Sequence, residues 1–178
     1  IKKDELFFAL KGSKKNGADF LNTALSKGAS AVITANKNAK NPKSIYVKNV
    51  RKSLGFACAK FFSKKPKNIL AVTGTNGKTS VADFFHQILT LNKIPVASIG
   101  TLGVKTTKVK SNSLTSPDII SFHKELARLK TKKINNVIVE ASSHGLHQRR
   151  LDGVNFMAGI FTNFSQDHID YHKNMKNY

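Results

Sequence analysis

Ile69-Leu70-Ala71-Val72-Thr73-Gly74-Thr75-Asn76-Gly77-Lys78-Thr79-Ser80 decides how the chain folds. It opens on a continuous aliphatic run, the pattern of a strand covered on both faces of a parallel sheet. Gly74 and Gly77 then break the strand, and a helix is expected from about residue 78 to 91. Strand, glycine turn and helix in this order form an anion cradle. The glycines let the backbone close round an anion, the amides at the helix start point at phosphate oxygens, and the helix dipole favours negative charge there. Lys78 is placed to reach the outer phosphates of a nucleotide and the Thr79 hydroxyl to ligate magnesium, with Thr75, Asn76 and Ser80 completing the loop. The general phosphate-loop pattern asks for glycine at the position of Val72, so the generic signature is a near miss, and an ordinary strand-to-helix turn is the alternative.

Outward from this stretch, apolar runs alternate with amphipathic ones, the order expected of an α/β protein with a mainly parallel sheet. Upstream, residues 6–10, 31–33 and 45–47 read as short strands, with helices near 18–27 and 51–62. Lys64-Lys65-Pro66-Lys67 ends the second of these helices, because proline cannot continue the hydrogen-bond ladder and restricts the residue before it. The expected boundary lies there: a small N-terminal α/β substrate domain over residues 1–66, then a phosphate-loop domain over 67–178. Downstream, strands are expected at 69–72, 96–99, 137–139 and 159–161, and the polar, β-branched stretch 103–114 reads as a hairpin or a mobile loop. The chain starts without Met just before an apolar strand and stops on Met175-Lys176-Asn177-Tyr178, which reads as the start of a helix. Both ends therefore read as cut, and the chain as a fragment.

With 178 residues and 40% hydrophobic content, the chain has enough apolar surface for one substantial core or two small ones. No apolar run approaches the roughly 18 to 20 residues of a membrane span, and Ile1-Lys2-Lys3-Asp4 lacks the order of a signal peptide, so a cytoplasmic protein without a membrane partner is expected. Cys58 has no second cysteine to pair with and reads as a core thiol. The formal charge of +20 raises nucleic-acid binding as a class. Lysines, however, are spread along most of the chain, and arginine occurs only as Arg51, Arg128, Arg149 and Arg150. Phosphate and base readers favour arginine-rich patches interleaved with aromatics, so the excess reads as a solvated lysine surface attractive to anionic substrates. A P-loop switch or nucleic-acid-dependent ATPase remains the rival from another class.

Asn136-Val137-Ile138-Val139 reads as a buried strand that delivers Glu140 to the carboxyl end of the sheet, the edge at which α/β folds bind ligands. A carboxylate there can hold the metal that bridges nucleotide phosphates. A helix cap or a surface charge is the alternative, and the phosphate loop in the same domain favours the metal.

Gly74-Thr75-Asn76-Gly77-Lys78-Thr79 resembles the short phosphate loop of the Mur ligases and folylpolyglutamate synthetases, in which the residue at Val72 is no defect. Glu140-Ala141-Ser142-Ser143-His144-Gly145-Leu146 and Thr162-Asn163-Phe164-Ser165-Gln166-Asp167-His168-Ile169-Asp170-Tyr171-His172 resemble, within the Mur ligases, the branch that adds the third residue to the muramoyl peptide. The likeness runs through essentially the whole chain, beginning at Leu6-Phe7-Phe8-Ala9-Leu10-Lys11-Gly12. It implies ATP and magnesium as cofactors and UDP-N-acetylmuramoyl-L-alanyl-D-glutamate and a third amino acid as partners, on a monomer that ligates them through an acyl phosphate. It implies that Lys78, Glu140 and His168 are catalytic, with Thr79 and Glu140 at one magnesium and His168 at a second. Thr115, Ser116, Ser142, Gln148 and Arg150 are implied substrate contacts, although Ser116-Pro117-Asp118 is also an ordinary helix start. Arg149 falls where the family pattern varies. Ser13, Lys14 and Lys15 fall where the family grips the uridine nucleotide, with a charged surface turn as the alternative. The resemblance also implies a carbamylated lysine and an amino-acid-selecting domain beyond Tyr178. His86, His123 and His147 have no partner visible in sequence and read as packing or helix-surface residues.

Overall fold

The structure of the protein is a computed structural model that describes residues 1–12, 15–101, 103–106, 110–111 and 118–178. The chain divides into two compact units, 1–57 and 58–178. In the first, β1 (Leu6–Phe8), β2 (Ala31–Thr34) and β3 (Ser44–Tyr46) form a parallel sheet in that order. A 3-10 turn (Gly17–Phe20) runs into α1 (Leu21–Ser26), which crosses over from β1 to β2. Asn16 starts the turn, its side-chain oxygen accepting the Ala18 N–H at 3.1 Å. The unit's core gathers Ala24, Ala29 and Val32, with Phe7, Leu21 and Leu25 packed against them.

The division between the units falls inside α2 (Val50–Phe61), upstream of the expected boundary at Pro66. The reason is local. Cys58 and Pro66 are buried, and Lys65 Nζ donates to the Gly153 carbonyl at 2.8 Å, so the segment before the next strand already belongs to the second unit's packing. Burial pushes the Cys58 thiol pKa up, as suits a core residue.

The second unit contains β4 (Asn68–Thr73), α3 (Lys78–Leu91), β5 (Val96–Gly100), β6 (Gly103–Thr106), β7 (Lys110–Ser111), α4 (Ile119–Thr131), β8 (Asn136–Glu140), α5 (Ser143–His147), β9 (Ala158–Phe161) and α6 (Ile169–His172). Its sheet runs β7-β6-β5-β8-β4-β9, with β5, β8, β4 and β9 parallel and β6 and β7 antiparallel. Alternation along the strands sorts two cores. Ile69, Val137 and Val139 pack with Phe122, Leu126 and Leu129 of α4, which recur at helical spacing. Val72 and Ile138 pack with Ala82, Val81 and Phe85 of α3. Two covered faces explain why these strands read as unbroken apolar runs. Phe122, Leu126 and Leu129 are at most 1% exposed, so each is worth roughly 1.5 to 3 kcal/mol of burial.

The hairpin reading of 103–114 is met where the stretch is described: β6 and β7 pair antiparallel and extend the sheet from β5, with residues 107–109 and 112–114 outside the described set. α4 begins after Asp118, whose carboxylate caps it by accepting the N–H groups of Ile120 and Ser121 at 2.9 and 3.1 Å. Residues 175–177 form a turn rather than a helical start. No helix among the described residues is long and apolar enough to cross a membrane.

Candidate nucleotide and substrate site

β4 ends at Thr73, and the loop to α3 turns on Gly74 and Gly77, with φ of +134° and +81°. Both angles lie where a side chain is strained. Gly74 has a second constraint, since a Cβ there would overlap Thr162 Oγ1. Lys78 curls back so that Nζ donates to the carbonyls of Gly74 and Thr75 at 2.6 and 2.8 Å. The first intrahelical bond of α3 runs from Val81 N–H to Gly77 O, so the amides of Lys78, Thr79 and Ser80 form the N–H end of the helix dipole.

The rest of the loop is braced from the segment after β9, which pairs with β4. The N–H groups of Thr75 and Asn76 donate to the backbone and side-chain oxygens of Asn163, both at 3.0 Å. Thr162 Oγ1 and Asn163 Nδ2 donate to Asn76 O at 2.6 and 3.2 Å. Thr75 is buried, and its hydroxyl bonds the backbone of Ser165 and the Tyr178 hydroxyl. Thr75 and Asn76 therefore shape the loop through bonds within the protein.

Glu140 stands at the tip of β8, in register with Val72 of β4. Its Oε2 accepts from Thr79 Oγ1 at 2.8 Å and Thr101 Oγ1 at 3.0 Å, and its Oε1 accepts from Thr101 N at 3.2 Å. Any Cβ at Gly100 would overlap the Glu140 carboxylate, which accounts for that glycine. The Thr79 hydroxyl and Glu140 carboxylate are hard oxygen donors within one hydrogen bond of each other, the donor chemistry that suits magnesium. His168 lines the same cleft but keeps other company: its ring lies edge-on to His144, with centroids 4.9 Å apart, and its Nε2 is 3.6 Å from Asp167. Among the described residues no three His, Cys, Asp or Glu side chains gather closely enough to hold one metal.

α5 carries the third wall. Ser142 caps it, accepting the Gly145 N–H at 3.1 Å, and Arg150 N–H closes the turn on Gly145 O at 2.9 Å. Gly74, Lys78, Glu140, Ser142, Arg150 and His168 all line one cleft of about 650 Å³. Gln148 stands behind Arg150. Its Oε1 accepts from Arg150 Nε and Nη2 at 3.0 and 2.7 Å, and its Nε2 donates to Tyr171 Oη at 3.1 Å. His144 also lines the cleft, and its pKa is held below the usual histidine range by burial and then by His168 and His172. Arg149 pairs with Asp152 at 3.1 Å.

Of the remaining expected site residues, Ser13, Lys14, Thr115 and Ser116 lie outside the described residues. The Lys15 carbonyl accepts the Gly12 N–H at 2.9 Å, and its ammonium lies over the Phe20 ring. Ser80 is exposed at the start of α3. His86 and His123 are buried packing residues, while His147 bonds Tyr171 Oη at 2.9 Å. Thr101, Thr162, Asn163 and Ser165 were not singled out from the sequence for these contacts. Their signal was position, polar residues directly after strands 96–99 and 159–161, but which strands are neighbours is not written in either segment.

Strand, loop and helix, with the acidic tip of the adjacent parallel strand touching the loop's threonine, define a P-loop α/β protein. Within that class the chain belongs to the Mur ligase family, whose middle domain matches residues 72–178. The UDP-N-acetylmuramoyl-L-alanyl-D-glutamate--2,6-diaminopimelate ligase of Brucella melitensis is 46% identical over 183 residues, covering 100% of this chain and 37% of that protein. The ligase of the same name from Rickettsia prowazekii is 46% identical over 184 residues, again across the whole chain and 38% of its own length. A solved UDP-N-acetylmuramoyl-L-alanyl-D-glutamate--2,6-diaminopimelate ligase superposes with a TM-score of 0.85 at 28% identity, covering 100% of this chain and 37% of that one. MurF ligase from Thermotoga maritima, solved with ADP, shares the fold at a TM-score of 0.59, 17% identity and 99% coverage of this chain, over 38% of its own. The chain thus spans little more than a third of the curated relatives it matches, at 37% and 38%.

Proposed function

We propose that the chain is the phosphate-binding part of an ATP-dependent ligase of peptidoglycan synthesis that adds 2,6-diaminopimelate to UDP-N-acetylmuramoyl-L-alanyl-D-glutamate. The amino acid and the muramoyl dipeptide are those in the relatives' names. On this reading a carboxylate oxygen of the D-glutamyl residue attacks the γ-phosphorus of ATP and ADP leaves. The amine of the incoming amino acid then attacks the acyl carbon, and phosphate departs with that oxygen. Such chemistry asks the protein for positioning and charge stabilisation more than covalent help. Lys78 and the amides of residues 78–80 hold the phosphoryl oxygens, and Arg150 holds an anionic group of the dipeptide. Thr79 and Glu140 would hold magnesium, with His168 serving a second ion, and the metal neutralises charge on the phosphates. The protein works in the cytoplasm as a monomer, with no nucleic-acid or membrane partner.

The observation that carries the proposal is the convergence of Gly74, Lys78, Glu140 and Arg150 on one cleft. Its test is ADP release by a protein that carries these residues at the length of the relatives. Release over many turnovers should require both the muramoyl dipeptide and diaminopimelate. Release driven by RNA or DNA, and indifferent to the dipeptide, would overturn it.

A further inference from the structure

We infer that Tyr171 is a positioning residue for the muramoyl substrate, acting through Gln148 on Arg150. The inference rests on the assignment of Arg150 as a substrate contact and adds the device that aims it. A guanidinium has donors and no acceptor, so the Gln148 atom facing Arg150, which receives Nε at 3.0 Å and Nη2 at 2.7 Å, must be the oxygen. The amide nitrogen of Gln148 then faces Tyr171 and donates to Oη at 3.1 Å. Tyr171 Oη also lies 2.9 Å from His147 Nδ1, the direction of that bond following the His147 tautomer. Arg150 thus fixes the orientation of the Gln148 amide, and Gln148 makes Tyr171 Oη an acceptor. A two-point grip on Nε and Nη2 sets the plane of the guanidinium as well as its place.

The far end of the chain is anchored. Tyr171 lies in α6, its ring tilted on His144 with centroids 4.0 Å apart and edge-on to His172 at 4.8 Å. The same short helix starts at His168 in the cleft. The substrate arm and the histidine wall of the cleft therefore share one support.

The test is a double-mutant cycle on the ligase carrying this chain at the relatives' length, read as KM for the muramoyl dipeptide and KM for ATP. Tyr171→Phe removes one hydroxyl and keeps the stacked ring. It should raise the dipeptide KM about fivefold, the weight of one part-buried hydrogen bond, and leave the ATP KM unchanged. Arg150→Ala should raise the dipeptide KM by more than about tenfold. In the Arg150→Ala background, Tyr171→Phe should add nothing, since the relay then has nothing to aim. Independent, additive effects would overturn the relay, as would a Tyr171→Phe enzyme with a normal dipeptide KM. An unchanged KM in Arg150→Ala alone would instead remove the substrate assignment on which the relay rests. Melting curves of both single variants separate a loss of aim from a loss of fold.

Discussion

Lys78 Nζ rests on the carbonyls of Gly74 and Thr75, so its charge is held at the loop with little freedom left to lose. A cation fixed in this way favours the charge that develops on the transferring phosphoryl oxygens. Lys78→Ala in the proposed ligase should slow turnover by about a hundredfold or more, on the order of 3 kcal/mol, and near-normal turnover would remove the phosphate-loop assignment. Glu140 makes a similar claim with a different readout. Glu140→Gln keeps the side-chain shape and the Thr79 and Thr101 contacts within reach but discards the anion, so a magnesium titration of activity should move to higher concentration by about tenfold or more. An unmoved titration would return Glu140 to a structural role. At this scale the sequence was legible where backbone conformation and strand ends dictate the residue: Gly74, Gly77, Lys78, Thr79 and Glu140. It was less legible where a side chain had partners to choose among. Gln148 and Thr75 read as contacts for a ligand, and in the fold Gln148 bonds Arg150 and Tyr171, while Thr75 bonds Ser165 and Tyr178.

Helices α3 and α4 cover opposite faces of the second unit's sheet, and each buries a histidine: His86 at 4% exposure, His123 at 0%. Each ring has a nitrogen without a hydrogen-bond partner, Nε2 of His86 and Nδ1 of His123. Burial is the main cause holding both pKa values below the usual 6.5. Lys105 adds to this at His86 and Asp83 opposes it; at His123 the Asp152 carbonyl opposes it and Lys65 adds. Because the folded values lie below the unfolded ones, the unfolded chain takes up protons first. The stability these residues contribute is complete above about pH 6.5 and is lost as pH falls through the folded values. Thermal melting should therefore be flat near neutrality and drop below about pH 6.5, less steeply in His123→Gln than in wild type. A melting point that holds or rises on acidification would contradict this. The elements themselves were largely legible from period and punctuation, and α3 coincides with its expected span. The hairpin of β6 and β7 was one of the two readings its polar, β-branched stretch allowed, whereas the division inside α2 was not legible, because it depends on what packs alongside.

The formal charge of +20 reads, at the scale of the whole molecule, as a property that suits anionic nucleotide substrates as well as nucleic acid, and composition alone could not choose between them. Lys78, Arg150 and Glu140 line one cleft, so part of the positive charge sits where the proposed anionic substrates would lie. Each unit keeps its own apolar core, around Val32 in the first and on both faces of β8 in the second. The central claim is that phosphate leaves through an acyl phosphate, and oxygen transfer tests it most directly. The muramoyl dipeptide is labelled with oxygen-18 in its D-glutamyl side-chain carboxylate, and the inorganic phosphate formed with ATP and diaminopimelate is weighed by mass spectrometry. The account predicts one labelled oxygen in each phosphate released, because the attacking carboxylate oxygen departs with phosphorus. Phosphate formed without label would mean that water, not the carboxylate, attacks ATP, and would contradict the account.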